Sequence, residues 1–509
     1  MFFMLQKLRA KEIELIHLGF LCSLIGLVFS KALLSLSTAY LVLIILLSCD
    51  LKKRIIRLKD NKISTSIILL FSWLSVSIIW SINLNEGIIG ITSKLNLILL
   101  PICWVIAPQL NAIKRKQILF FFCILVVGAT LFNIIHYSVY ETHNFDRRSL
   151  SYFISHIRFS ILVALSVFIL LIKLPDTKFK IITLLTVAWL IFYSIYSLVG
   201  TGLAVLLVGF TILGLNLMIK HKFSKTHLII GSLSILLLVT FYLISLLKDI
   251  NTAPKRLNEK VKTSLGNPYD LNPINIELEN GNYIYKSICK KEIDENWIKY
   301  SKVSLEQKNQ NGYTNRHILY RYLTSKGLRK DSEGLKKLDK IDIENIEKGI
   351  PSTLETSTIE NKVKNIIREL LTDSANPNGH SILQRKEYWK TSFELIKENK
   401  LIGTGIGDYR DEFDRKYKKN NSLLLEENRF QSHNQWLSIF VMSGLIGFIL
   451  FFRHLILFFL FLFSEKNLLG IIFFLISVTS FVVEDTLFTL TGMSFYGFFV
   501  GFFITENKK

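Results

Sequence analysis

The sequence predicts an all-α polytopic membrane protein, with about 12 transmembrane helices and a large, mostly helical outer domain between spans 9 and 10. Half of the 509 residues are hydrophobic and only 20% are charged, whereas soluble domains are about 25% charged. The mean hydropathy is +0.37. The apolar residues lie in blocks of roughly 17–25, the length that crosses a bilayer as a helix. These observations exclude a membrane-tethered soluble enzyme, a disordered chain and a collagen-like chain.

Twelve apolar blocks form the predicted spans, nine before a long polar stretch and three after it. No small-residue cleavage site follows the first block, so we expect a retained span and not a cleaved signal. Arg453 interrupts the tenth block, but its two parts are each too short to cross, which favours one long helix. The predicted spans are 13–31, 34–49, 64–82, 88–107, 117–140, 152–172, 179–198, 201–219, 227–247, 434–463, 468–483 and 489–505.

Positive charge lies on alternate connections between these spans. The connection 51–62 holds six basic residues, and further basic groups mark 114–116, 173–180 and 220–225. Cytoplasmic loops retain Lys and Arg, so these connections and the N-terminus are predicted to be cytoplasmic. The net charge of +21 is therefore mainly a sign of topology, and no nucleic-acid partner is expected.

The polar stretch 249–432 is the predicted outer domain, between membrane domains at 1–248 and 433–509. Nine spans place it on the face opposite the basic connections, which is periplasmic or extracellular. Its 33 Lys and Arg nearly balance its 28 Asp and Glu, and a loop this long inside a compact fold usually has a function. The five Cys of the chain fit neither a disulfide framework nor a zinc site.

His433 stands where the outer domain meets the tenth span, beside Asn434. A His at this interface can accept a proton from a hydroxyl near neutral pH. The alternative is a histidine that only hydrogen-bonds a helix end. Glu484 and Asp485 interrupt a later apolar run, so we expect them to cap a helix or to orient an Arg or a His.

Three arginines are candidates for binding a phosphate group. Arg158 lies inside the apolar block 152–172, about 6–7 residues from its outer end, and a charge within a span indicates function. Arg385 and Arg429 lie outside the membrane, where solvation is the default for Arg. Guanidinium groups bond phosphate oxygens in pairs, so these Arg and one His at the mouth of a cavity would fit a polyprenyl diphosphate.

The turn GTGIGD resembles a phosphate cradle through Gly403, Gly405 and Gly407. No strand precedes it and no Walker Lys follows, so a glycine turn between two helices is the alternative. A lipid-linked phosphate is a better ligand for it than ATP, because the turn faces away from the cytoplasm. Lys94 lies inside block 88–107, where snorkelling of the ammonium to the interface is the alternative to a function.

Several short motifs occur in a characteristic order near the C-terminus. They are R-x-x-x-W at Arg385 and Trp389, the G-x-G-x-G turn at Gly403–Gly407, and HNQWL followed by SGLIGFILFF. This set resembles the O-antigen ligase and O-antigen polymerase superfamily of bacterial inner-membrane proteins. The segments SHIRFS, RYLTSKGLRKD, IDIENIEKGI and EDTLFTLTG resemble a branch found in Bacteroidetes-type bacteria. Together the similar regions span about 150–210 and 285–505.

The resemblance implies glycan transfer at the periplasmic face, from undecaprenyl diphosphate to an acceptor hydroxyl. In ligases the acceptor is lipid A–core, and in polymerases it is another lipid-linked repeat unit. The family is understood to use no cofactor, neither metal nor nucleotide. We therefore predict an inverting C-type glycosyltransferase whose partners include membrane lipids. The site residues have the following predicted roles. His433 and Arg385 are catalytic, Arg158, Arg429, Gly403, Gly405 and Gly407 bind the diphosphate, and Glu484, Asp485, Asn434 and Trp389 support them.

One position departs from the family pattern. Many members carry an Arg near the start of the span after the seventh block, where this chain has Gly200. Arg158 is the candidate replacement. We favour a ligase, and a repeat-unit polymerase would use the same residues. A flippase would show inverted repeats, and a sensor would have a cytoplasmic signalling module. The sequence shows neither feature.

Overall fold

The chain is an all-α polytopic membrane protein, as predicted. The computed structural model describes residues 11–47, 51–140, 147–174, 178–220, 261–270, 278–279, 282–308, 313–353, 377–378 and 381–505. Eight helical segments there are long and apolar enough to cross a membrane, and three shorter apolar helices coincide with further predicted spans. The predicted span 227–247 lies outside the described residues.

Polar side chains cap the starts of some of the helices in the N-terminal membrane part. The side chain of Ser30 accepts a hydrogen bond from Leu33 N, and that of Asn61 accepts from Ile63 N and Ser64 N, which satisfies amides that a helix start leaves open. The helices are α1 Glu12–Phe29, α2 Lys31–Leu46, α3 Leu51–Asp60, α4 Lys62–Val76, α5 Leu84–Ser93, α6 Leu95–Ile106, α7 Ala112–Tyr140, α8 His156–Lys173, α9 Lys180–Ser197 and α10 Gly200–Lys220.

The polar stretch between the two membrane parts contains a small unit with its own hydrophobic core. A two-stranded antiparallel hairpin, β1 Leu278–Glu279 and β2 Asn282–Tyr283, pairs Leu278 with Tyr283. The helices α11 Lys290–Trp297, α12 Asn315–Ser325, α13 Ser332–Lys336 and α14 Lys340–Glu347 follow. Trp297, Tyr322 and Leu335 are among the residues buried in this core.

The C-terminal part begins with two helices that precede the last membrane spans. They are α15 Ser381–Glu398 and α16 Tyr409–Lys419, followed by α17 Gln435–Ser464, α18 Leu468–Val483 and α19 Leu490–Ile504. Buried residues of α15 and α16, such as Tyr388 and Phe413, belong to the same core as the membrane helices. Packing therefore groups 381–432 with the membrane helices, although the proposed boundary between the domains is at 432.

Two predicted spans contain a break. The block 88–107 is divided at Lys94, where α5 ends and α6 begins. The predicted long helix after His433 is one element, but Gly444 has φ +64° and ψ −167°. A Cβ there would lie 2.3 Å from the carbonyl oxygen of Leu401, so only glycine fits this close approach.

Candidate active site

His433 lies in a tight turn directly before α17. Its φ is +46°, which is uncommon for a residue with a Cβ and is a strain often found at functional sites. Asn434 then caps α17, since its side-chain oxygen accepts from Trp436 N and Leu437 N. Its amide donates to Val482 O at 2.9 Å. Asn434 thus ties the start of α17 to the end of α18.

Aromatic side chains of α15 hold the turn from the other side. Trp389 Nε1 donates to the carbonyl of Ser432 at 3.0 Å. The rings of Tyr388 and Phe430 lie with their centroids 5.6 Å and 5.7 Å from that of His433. Burial raises the pKa of Tyr388 to about 12, so its hydroxyl stays protonated. The predicted support by Trp389 and Asn434 is consistent with these contacts, whereas Tyr388 was missed.

Glu484 brings three of the predicted site residues together. Its Oε1 is 3.2 Å from Nη2 of Arg385, and its Oε2 is 3.4 Å from Nη2 of Arg158. The same Oε2 is 3.5 Å from Nδ1 of His433. The side chain of Glu484 is only 3% exposed, whereas that of His433 is 35% exposed. The carboxylate is thus the buried centre of the cluster, and the imidazole stays accessible.

The neighbouring carboxyl groups have pKa values shifted in opposite directions. Burial works to raise the pKa of Glu484, but the hydrogen bond from His433 and the charges of Arg158 and Arg385 outweigh it, and the pKa is lowered. Burial raises the pKa of Asp485, which outweighs the hydrogen bond from Ser438. Such a separation of two carboxyl groups by their surroundings is typical of active sites.

The side chain of Asp485 accepts hydrogen bonds from a buried network of hydroxyl groups. Ser438 Oγ donates to Asp485 Oδ1 at 2.6 Å, and Tyr409 OH donates to Ser438 Oγ at 2.7 Å. Ser432 Oγ lies 2.5 Å from Ser438 Oγ and accepts from Asn434 N. The network therefore fixes both residues that flank His433. No sequence pattern identified Ser432, Ser438 or Tyr409, because the network forms only when α16, α17 and the residues after α18 pack together.

Arg158 enters the cluster from the first turn of α8. The expected depth of 6–7 residues is wrong, because the preceding SYFIS segment is not helical and α8 begins at His156. Gly202 of α10 packs against α8, where an added Cβ would lie 2.6 Å from Ser160 Cβ. The starts of α8 and α10 are thus adjacent. Arg158 therefore lies close to the place where the family pattern expects an Arg at Gly200.

Arg429 does not join the cluster through any ion pair or hydrogen bond that the structure describes. Its Nε donates to Leu424 O at 3.1 Å, and its Nη1 lies 3.8 Å from Glu426 Oε1. Both partners belong to its own loop. The structure therefore gives Arg429 a role in shaping the loop before His433, and the predicted diphosphate contact has no support.

The glycine turn packs against backbone and has no open phosphate cradle. The amides of Gly405 and Gly407 already donate to Met442 O and Ser81 Oγ, both at 3.0 Å. Gly403 N donates to Asn399 O. Added Cβ atoms at Gly403, Gly405 and Gly407 would lie 2.5 Å, 2.3 Å and 2.2 Å from neighbouring atoms. The predicted diphosphate role of these glycines is therefore not supported, and close packing explains them.

Lys94 is buried, which excludes the snorkelling alternative. The residue is 6% exposed, and its ammonium lies 4.4 Å from the ring centroid of Phe488. Asp485 is the charged neighbour of Lys94. The break between α5 and α6 thus places a further basic side chain near Asp485, in addition to the two arginines at Glu484.

The cluster can bind an anion and accept a proton. One ionised carboxylate faces two guanidinium groups, which leaves positive charge for a ligand. A carboxylate beside Nδ1 favours the imidazole tautomer with its proton there, so that Nε2 can accept another. Within the part of the chain that the structure describes, no group of three or more His, Cys, Asp or Glu is placed to hold a metal ion.

The fold and the cluster together define a polytopic membrane protein with a His–Glu–Arg site at one end of its helices. Residues 350–452, about one fifth of the chain, match the family model described as O-antigen ligase. This segment contains Arg385 and His433, whereas Arg158 and Glu484 lie outside it. This match confirms the predicted resemblance to the O-antigen ligase superfamily and supports an activity of the ligase or polymerase type in general. No curated protein matches the chain.

Proposed function

We propose that the protein transfers a glycan from undecaprenyl diphosphate to an acceptor hydroxyl, and that the acceptor is lipid A–core, as in an O-antigen ligase. The observation that carries this proposal is the convergence of Arg158, Arg385 and His433 on Glu484. The matched family segment supports the same class of reaction.

The two arginines have the chemistry of a diphosphate clamp. Their planar forks bond phosphate oxygens in pairs, and their charge stabilises the negative charge that develops as the sugar–phosphate bond breaks. Arg158 comes from α8 and Arg385 from α15, so the clamp joins the N-terminal and C-terminal helices. Glu484 holds both side chains in place before the substrate arrives, which lowers the cost of ordering them.

His433 is the proposed general base. Its Nε2 takes the proton of the acceptor hydroxyl while that oxygen forms a bond to the anomeric carbon. The bond from the same carbon to the diphosphate oxygen breaks, the diphosphate leaves with the electron pair, and the sugar configuration inverts. This mechanism requires neither a metal ion nor a nucleotide, and it defines an inverting C-type glycosyltransferase.

The basic connections set the proposed orientation in the bacterial inner membrane. Arg115, near the start of α7, donates to Thr505 just after the end of α19, whereas Glu484 lies shortly before the start of α19. Retention of positive charge in the cytoplasm then puts the cluster on the periplasmic face. Lipid-linked glycans that have crossed the membrane would meet it there.

The glycan profile of a deletion strain tests the ligase proposal against the polymerase. Loss of a ligase leaves lipid-linked polymer uncoupled, and the lipopolysaccharide gel shows lipid A–core alone. Loss of a polymerase leaves lipid A–core that carries one repeat unit. The single-repeat pattern would replace the ligase proposal by the polymerase, and an unchanged gel would contradict both.

A further inference from the structure

Lys94 holds a buried ammonium group whose hydrogen-bond donors have no acceptor among the residues that the structure describes. The residue is 6% exposed. Its Nζ lies against the ring of Phe488, 4.4 Å from the ring centroid. The ring attracts the cation but offers no oxygen. A buried ammonium is costly unless oxygens accept its hydrogen bonds, so this position lacks the acceptors that a lysine needs.

Asp485 is the charged neighbour of Lys94, but the hydrogen bonds of its side chain go elsewhere. Asp485 Oδ1 accepts from Ser438 Oγ at 2.6 Å and from Ser432 Oγ at 3.4 Å. Lys94 and Asp485 therefore attract each other without a direct ion pair. Because Asp485 follows Glu484 in the chain, Lys94 adds a cation beside the carboxylate that holds the two arginines.

Packing between α6 and α19 fixes the position of Lys94. The residue lies at the break between α5 and α6, with φ −95° and ψ 3°. Asn96 Nδ2 donates to Ser494 Oγ at 2.9 Å, and a Cβ added at Gly497 would lie 2.9 Å from the carbonyl oxygen of Asn96. Neither contact uses the charge of Lys94, so we expect the break to form with an uncharged side chain as well.

The charges around Glu484 leave a positive excess. Two carboxyl groups supply at most two negative charges, against the three cations of Lys94, Arg158 and Arg385. A diphosphate ester carries negative charge and presents several acceptor oxygens. Lysine binds phosphate as a point charge with three N–H donors, whereas arginine binds it with a planar fork. A diphosphate oxygen is thus the kind of acceptor that Lys94 lacks.

We propose that Lys94 binds the donor diphosphate as a third cation, by donating hydrogen bonds to oxygens that Arg158 and Arg385 leave open. This role of Lys94 rests on the proposed function, in which undecaprenyl diphosphate carries the donor glycan. The lysine then destabilises the empty protein and stabilises the complex, as functional groups in binding sites often do. Removing its charge should therefore have opposite effects on stability and on binding.

Thermal unfolding of the purified full-length protein in detergent measures both effects. Lys94→Met removes the charge, and Lys180→Met, at an exposed position at the start of α9, is the control. Without ligand, we expect Lys94→Met to unfold at the wild-type temperature or above it, because a buried ammonium without acceptors is lost. Undecaprenyl diphosphate should stabilise the wild type and Lys180→Met. The Kd derived from this stabilisation should rise about 10-fold or more in Lys94→Met.

A lower unfolding temperature of ligand-free Lys94→Met, or its failure to accumulate, would make Lys94 a structural partner of Asp485 and overturn the proposed role. Equal Kd values for wild type and Lys94→Met, or no binding by the wild type, would overturn it too. Glycan transfer itself is decided separately, by the glycan profile of the deletion strain. Wild-type protein that binds undecaprenyl diphosphate, with an unchanged gel in that strain, would refute the transfer and keep Lys94 as a diphosphate ligand.

Discussion

At the residue scale, Glu484 is the side chain on which the site depends. Replacing it by Gln removes the charge that holds two arginines and one imidazole. We expect Glu484→Gln to lower the transfer rate by about 100-fold or more, as loss of an orienting carboxylate does in catalytic triads. Glycan transfer in membranes, normalised to the amount of protein, measures this. Glu86→Gln, at the exposed start of α5, is the control and should keep the wild-type rate.

The same carboxylate predicts a pH dependence of stability. The pKa of Glu484 is lowered in the folded protein, so its stabilising contribution is complete above its ordinary value of about 4.3. The contribution is lost as the pH falls through the folded pKa. The difference in thermal unfolding temperature between wild type and Glu484→Gln should stay constant from neutral pH to about pH 5 and shrink below about pH 4. A difference that grows in acid would contradict the ion-paired geometry.

Individual site residues could be predicted from the sequence where a charged side chain interrupts an apolar run. Arg158 and Glu484 were identifiable because charged side chains in apolar runs are costly, and the structure places them together. The contacts of Arg429 with its loop partners, Leu424 and Glu426, were not predicted, because they depend on a fold that the local sequence does not reveal. The hydroxyl network around Asp485 was missed because it forms only through tertiary packing.

At the element scale, the glycine turn connects α15 to α16 and packs closely against neighbouring residues. We expect Gly405→Ala to destabilise the protein by about 1–3 kcal/mol, the usual cost of a strained backbone position. Gly405 has φ +88°, and a Cβ would lie 2.3 Å from Ser81 Oγ. Thermal unfolding in detergent measures the loss. Gly128→Ala in α7, where a Cβ meets nothing within 4 Å, is the control and should not destabilise.

The kinetic result of Gly405→Ala separates packing from phosphate binding. A packing residue lowers the amount of folded protein and leaves the KM for the lipid-linked donor unchanged. A raised KM for the donor at unchanged stability would instead support the prediction that the glycine turn binds the diphosphate.

Helix positions were more predictable than helix breaks. The run 468–483 coincides with Leu468–Val483, because sixteen mostly apolar residues without a charge between polar ends leave little ambiguity. The break at Gly444 was missed because one glycine in an apolar run is usually helical, and the contact of Gly444 with Leu401 is far away in sequence. The break at Lys94 was missed for the same reason, because the contact of Lys94 with Phe488 joins residues that are far apart in sequence.

At the scale of the whole molecule, the charge pattern predicts the orientation. In a cysteine-free background we expect Lys419→Cys to react with a membrane-impermeant maleimide once the outer membrane is permeable. Ala112→Cys, which precedes the basic residues of α7, should react only after the inner membrane is broken. Both positions are exposed in the structure, so access to the reagent decides the result. The reverse labelling pattern would contradict the periplasmic placement of the cluster.

The central claim is that His433 accepts the proton of the acceptor hydroxyl. Its most direct test is glycan transfer by membranes that contain His433→Ala, compared with His136→Ala, whose ring packs against Phe132 and Tyr152. We predict that His433→Ala lowers transfer by about 100- to 10,000-fold, the usual contribution of a general base, while the protein accumulates normally and His136→Ala stays active. Full transfer by accumulated His433→Ala protein would contradict the account.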